Sequence, residues 1–164
     1  GQGDKSRARL IIDNIVHVLT QYGGLEFVTN KRTEMLNYIE AAEHESKSKF
    51  SVAYVRRAGE QPDTEEKAYQ TNSILTIEIE FIVFDIDGPE NVVEQVIKNT
   101  RFAMLTNSDD TPQMRRNRGG NAVDTYEQGV IVEDVVDPET GAYVPIITGI
   151  HSFEIWYDYT PDDI

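Results

Sequence analysis

Ile74-Leu-Thr-Ile-Glu-Ile-Glu-Phe-Ile-Val-Phe-Asp-Ile-Asp-Gly88 is the stretch on which the fold turns. From Leu75 to Val83 the residues Leu75, Ile77, Ile79, Phe81 and Val83 alternate with Thr76, Glu78, Glu80 and Ile82. A period of two is that of a strand with one buried face, because successive side chains leave a strand on opposite sides. A central parallel strand, covered by helices on both faces, reads as a nearly continuous apolar run instead. Glu78 and Glu80 therefore favour an antiparallel setting with one face toward the core.

The end of the same stretch advertises something else. Asp85-Ile86-Asp87-Gly88 looks like the nucleophile loop of the aspartyl-nucleophile phosphatases and hydrolases, in which the first Asp attacks phosphorus and the second handles the leaving-group proton. Two glutamates on the strand and Pro89 after Gly88, where that superfamily resembles Gly-Thr or Gly-Val, depart from the pattern. The competing reading is structural: a strand exit and helix start, with Pro89 at the first helical position and Gly88 or Asp87 as the cap. A small phosphohydrolase using Asp85 and Asp87 stays as the alternative from a different class, and loss of magnesium-dependent activity in Asp85→Asn would favour it.

Outward from this strand, the pattern reads as one domain over residues 1–164. Arg7 to Tyr22 places Leu10, Ile11, Ile15, Val18 and Leu19 at helical spacing and stops at Gly23-Gly24. Leu25 to Thr29 reads as a short strand, and Thr33 to Ser46 as a modest second helix, supported by Glu43–Lys47 and Glu45–Lys49 pairs where the helix continues. Phe50 to Arg57 alternates as a strand. A polar loop near 58–72 leads into Ile74 to Ile86. Pro89 to Leu105 then carries Val93, Val96, Ile97, Thr100 and Met104 along one face, the main core helix. A second long loop, near 106–128, precedes strands Gly129 to Val136 and Tyr143 to Tyr159, joined by the turn Asp137-Pro-Glu-Thr-Gly141. The fold class is α+β: a mostly antiparallel sheet of four or five strands, with the N-terminal and central helices packed on one face.

Composition narrows the function. At 164 residues and 39% hydrophobic, the chain is long enough for a sizeable core. No apolar run approaches the ~20 residues of a membrane span, the start Gly1 to Arg9 does not resemble a signal peptide, and a soluble protein is expected. The absence of cysteine excludes disulfides and thiolate metal sites and fits a reducing compartment. His17, His44 and His151 lack metal-ligand spacing, and His17 and His151 read as hydrogen-bonded structural histidines. Asp109-Asp110 lacks the rest of a calcium loop. No catalytic residue, metal or cofactor is expected. The formal charge of −14, from 29 acidic and 15 basic residues, opposes tight capture of nucleic acid but suits a wall past which DNA slides.

Contact residues are the remaining candidates. Arg115, Arg116 and Arg118, followed by Gly119-Gly120, read as a solvated basic loop or as a contact to an acidic neighbour, and Arg56-Arg57 is a weaker version of the same signal. Ile82 and Phe84, with Ile150 and Trp156, fall on the sheet face opposite the inferred core, so another subunit is expected to cover part of it. An adaptor that binds a basic partner through acidic loops also fits the composition.

The layout resembles the tail terminator (tail completion) proteins of long-tailed bacteriophages. It lies in the N-terminal helix Arg7 to Tyr22, the strand Lys49-Phe-Ser-Val-Ala-Tyr-Val55, an acidic linker, the strand Leu75-Thr-Ile-Glu-Ile-Glu-Phe81, the helix Pro89 to Leu105, and the strand Ile150-His-Ser-Phe-Glu-Ile-Trp-Tyr157. The Arg-rich segment and the hairpin Gly129 to Tyr159 are longer than in the simplest members. The resemblance implies a virion protein made in the host cytoplasm. It implies a ring, usually a hexamer, that caps the tail tube, ends its polymerisation and joins the head connector while DNA passes through. Its partners would be its own copies, the tail-tube protein and a connector or neck protein, with no membrane. Another neck or tail-tube protein is the alternative within that class.

Overall fold

The computed structural model describes residues 5–62 and 71–159. Its elements are α1 (Arg7–Tyr22), β1 (Phe27–Thr29), α2 (Arg32–His44), β2 (Lys49–Pro62), β3 (Thr71–Asp85), α3 (Glu90–Leu105), β4 (Asp124–Val136) and β5 (Tyr143–Tyr159). One five-stranded sheet has the order β1-β2-β3-β5-β4, antiparallel throughout except for the parallel β1–β2 pair. The fold is α+β, as the alternation of β3 predicts.

β3 is the centre of the sheet, paired with β2 on one side and β5 on the other. Its alternation maps directly onto burial: Leu75, Ile77, Ile79, Phe81 and Val83 are buried, and the residues between them are half-buried. The buried set joins Ala53 and Val55 of β2, Phe153 and Ile155 of β5, and the apolar stripes of α1 and α3 in one core. Each fully buried Ile or Leu there contributes roughly 1.5–3 kcal/mol relative to exposure. The two glutamates that break an all-apolar run sit on the other face, where Glu78 pairs with Arg56 and Glu80 with Arg32.

α2 covers part of that second face. Met35 and Ala42 are its buried residues. Met35 faces Ile82 and Ile150, and Ala42 faces Phe50 and Phe84. α2 ends at His44, so the expected Glu43–Lys47 and Glu45–Lys49 pairs do not form within a helix. Lys47 instead reaches back to Glu26 at 3.2 Å.

Both long loops are shorter than their composition suggests. β2 runs on to Pro62 and β3 begins at Thr71, so only 63–70 of the first loop lies between strands, outside the described residues. β4 begins at Asp124 rather than Gly129, because β5 supplies a long paired edge on which the polar segment Asp124–Glu127 can close its hydrogen bonds. The strand-to-helix turn differs in one detail. Pro89 is itself the N-cap and α3 starts at Glu90, with Gly88 at φ 114°, a conformation suited to glycine. Among the described residues no helix is long and apolar enough to cross a membrane.

Candidate interaction surface

The eight residues singled out as contacts do not converge on one site. Ile82 lies mid-sheet beside α2. It lines a groove of about 260 Å³ with Arg32, Met35, Leu36, Ile131 and Ile150. Leu36 is 49% exposed and Ile131 67%, so the groove opens onto exposed apolar surface. Phe84 belongs to a different end of the same face, where its ring leans on Phe50 at 5.4 Å. Trp156 lies at the opposite end, opposite Ile74, edge-on to Tyr126 at 5.8 Å, with its Nε1 donating to Glu154 at 3.3 Å. All three are half-buried, and only Ile82 borders the open groove.

The arginines of the second loop turn inward. Arg115 donates from Nε to the Ser108 carbonyl, and Arg116 pairs with Asp124 at 2.6 Å and donates to the Thr125 carbonyl. Arg118 is fully buried and cannot touch a partner. Its guanidinium donates to the Met104 carbonyl in the last turn of α3 and lies 3.2 Å from the Met104 sulfur, while Nε has no partner among the described residues. Among the described residues no carboxylate pairs with it; the negative end of the α3 dipole takes that place. Burial, with Arg116 nearby, pushes its pKa down to about 10, so it stays charged at neutral pH. The expectation of a solvated docking loop is therefore corrected: this loop is tied to the body by its own arginines. Arg56 and Arg57 remain on the surface, paired with Glu78 and Glu60, with side chains 41% and 49% exposed.

His151 of β5 is a buried titratable group on the helical side. His151 is inaccessible to solvent, stacked at 4.5 Å on Phe153, with Nε2 3.3 Å from Glu127 Oε2. The approach is too poorly aligned for a directed hydrogen bond, and among the described residues Nδ1 has no partner. Burial pushes the imidazole below its usual pKa, and the Glu127 carboxylate opposes that shift. Glu127 is in turn held by Arg101, whose Nε lies 2.8 Å away, and its own pKa is lowered. A buried structural histidine matches the sequence reading, but the hydrogen bond expected of it does not form.

Asp85 and Asp87 sit in a turn. Asp85 Oδ1 accepts from the Asp87 amide at 2.9 Å, and the Gly88 amide donates to the Asp85 carbonyl at 3.0 Å. The strand they end is antiparallel to both neighbours. A parallel sheet, which gives a phosphatase loop its setting, does not surround them. Among the described residues no cluster of three or more His, Asp or Glu could hold a metal ion.

The surface that sequence reading passed over is β4. Ile131 and Val132 are 67% and 47% exposed, and Val136 and Tyr143 are also open. The run Val130-Ile131-Val132 could have shown this, since three successive apolar residues on an edge strand must present some to each face. No protein-family model matches this chain, and no curated protein does either, so its function has to be argued from these surfaces.

Proposed function

We propose that the chain is the structural subunit of a tail-terminator ring, which caps a phage tail tube, ends its polymerisation and offers a docking face to the head connector while DNA passes through. The observation that carries this reading is the sheet face opposite α1 and α3. α2 covers only part of it, leaving the apolar groove at Ile82, Ile150 and Ile131 open. An uncovered apolar surface on an acidic domain is what a subunit needs when its copies complete its packing. The order of elements, from the N-terminal helix to a C-terminal strand inside the sheet, supports the same reading. The charge of −14 suits a conduit that should not hold DNA.

Sedimentation velocity and negative-stain electron microscopy of the purified protein test it. Closed rings, expected to be hexamers, support the proposal, and location at the head-to-tail junction of particles separates it from another neck or tube protein. A monomer at micromolar concentration and above, or a location elsewhere in the particle, would sink it.

A further inference from the structure

Strand β4 forms one edge of the sheet, and among the described residues no strand pairs with its outer side. Its first turn of chain is occupied: Arg116 donates to the Thr125 carbonyl, and the Thr125 hydroxyl donates to the Arg116 carbonyl. Beyond the irregularity at Glu127/Gly129 a regular run follows, Gly129 to Asp134, until the next irregularity at Asp134/Val136. This run holds neither Lys nor Pro, the residues that most often blunt an edge, and it exposes Ile131 on one face and Val132 on the other. Such an edge presents unpaired backbone groups on which another strand can add.

The other side of the sheet offers a matching edge. β1 covers only Val52 to Tyr54 of β2, leaving the outer side of Val55 to Pro62 open among the described residues. The two edges differ in charge. β4 holds Asp124, Glu127, Glu133 and Asp134 and no Lys or Arg, whereas the open part of β2 carries Arg56 and Arg57, which stay partly exposed beside their partners Glu78 and Glu60. Among the described residues the side chains of Glu133 and Asp134 make no ion pair or hydrogen bond, so their charge is uncommitted.

We infer that the open edge of β4, Gly129 to Asp134, pairs with the outer edge of β2, beyond β1, in a second copy of this chain. The direction of the strands allows it. β3 and β4 run one way and β2 and β5 the other, so a neighbour in the same orientation brings its β2 antiparallel to β4, with α1 and α3 on the same side of the continued sheet. The side-chain faces also agree. Arg56 and Glu133 both lie on the face shared with Ile82, and Arg57 and Asp134 both lie on the helical face. A register with Arg56 opposite Glu133 makes Arg57 and Asp134 diagonal neighbours, and opposite charges so placed favour pairing. A two-fold pairing of β4 with itself would bring together two acidic strands with no base between them. The head-to-tail contact uses different surfaces on its two sides, so it can close into a ring. The inference rests on the self-association in the proposed function and names the surface that makes it.

Charge reversal with hydrogen exchange tests it. Glu133 and Asp134 are exposed and uncommitted, so E133K/D134K should fold with an unchanged far-ultraviolet spectrum and melting curve. It should associate about tenfold more weakly in sedimentation, because two favourable pairs are replaced by two like-charge ones. Adding R56E/R57E to the same chain should restore association. In the wild-type assembly the amides of 129–134 should exchange more slowly than in diluted monomer. An assembly unaffected by the reversal, with equal exchange in both states, overturns this contact but leaves the ring reading standing. Protection in the monomer of the outward-facing amides of 129–134, those that are not bonded to β5, assigns the edge to another stretch of the same chain and also overturns it. A wild-type protein that never associates overturns both this contact and the proposed function.

Discussion

Gly149 has no room for a methyl group. A Cβ there would stand 2.2 Å from Phe81 Cζ, because the tip of the buried Phe81 ring fills the space over the glycine of the adjacent strand. The constraint is space rather than backbone conformation. Gly149→Ala should therefore destabilise the fold by about 1–3 kcal/mol, as overpacking does, lowering Tm by about 2–4 °C per kcal/mol. Phe81→Leu in the same chain should recover part of the loss, seen as a coupling energy in a double-mutant cycle by calorimetry. A Gly149→Ala protein that melts with its parent would mean the ring moves aside freely. His151 acts through protonation. Burial holds its pKa below the ordinary 6.5, so the unfolded chain takes up the proton first. Stability is fully present above about pH 6.5 and is lost as pH falls below it, until the folded imidazole also titrates. Glu127, whose pKa is held below 4.5 mainly by Arg101, adds a separate loss in more acid solution. His151→Gln should flatten the pH dependence of the urea midpoint as pH falls below about 6.5 and leave the steeper acid limb. An unchanged profile would assign that region to other groups.

At the scale of elements, α3 shows how a loop far along the chain finishes a helix. The last carbonyls of a helix lack partners within it, and Arg118 supplies one to Met104, adding positive charge at the negative end of the dipole. Arg118→Leu keeps bulk but leaves the carbonyl buried and unpaired. The lost charged hydrogen bond is worth roughly 1.5–3 kcal/mol, and release of a desolvated charge offsets part of it, so a net loss of about 1–2 kcal/mol is expected. Hydrogen exchange should quicken in the last turn of α3 more than in α1. Uniform quickening would mean the guanidinium only fills space. The same residue marks where sequence reading stopped. α1 was legible to its ends, and β3 to its buried face, because their periods are local and each side chain reports its own environment. Arg118 was not, since three arginines beside Gly119-Gly120 look alike whether their partners are solvent, another subunit or a carbonyl fourteen positions back. The start of β4 was hidden for a related reason: Asp124 to Gln128 is polar and becomes strand only because β5 lies beside it. Of the surface residues, Ile82 could be placed from alternation alone, whereas the open edge at Ile131 and Val132 depended on strand order, which no single strand encodes.

For the whole molecule, assembly must overcome charge. Each copy carries −14, and neighbours in the proposed ring would repel over the Debye length, roughly 30 Å at 0.01 M salt and 10 Å at 0.1 M. The attractions proposed between copies are mostly of another kind: burial of the groove at Ile82 and Ile131, and backbone pairing along β4, neither of which salt weakens much. The pairs Arg56–Glu133 and Arg57–Asp134 set the register more than the strength, since exposed ion pairs contribute about 0–1 kcal/mol each. Repulsion is long-ranged and screened first. Association should therefore strengthen as salt rises from about 0.01 to 0.15 M and then level off, read as the sedimenting fraction of assembled protein. Duplex DNA should show no measurable anisotropy change with the protein across the same range, because there are few lysines and arginines free to displace counterions from phosphates. Arg115, Arg116 and Arg118, the densest basic cluster in the chain, are committed to Ser108, Asp124 and Met104. Association that instead weakens steadily with salt would make ion pairs the main adhesive and displace the apolar face from that role. DNA binding at 0.1 M salt, about the ionic strength at which the Debye length falls to 10 Å, would contradict a channel that lets DNA slide past without holding it.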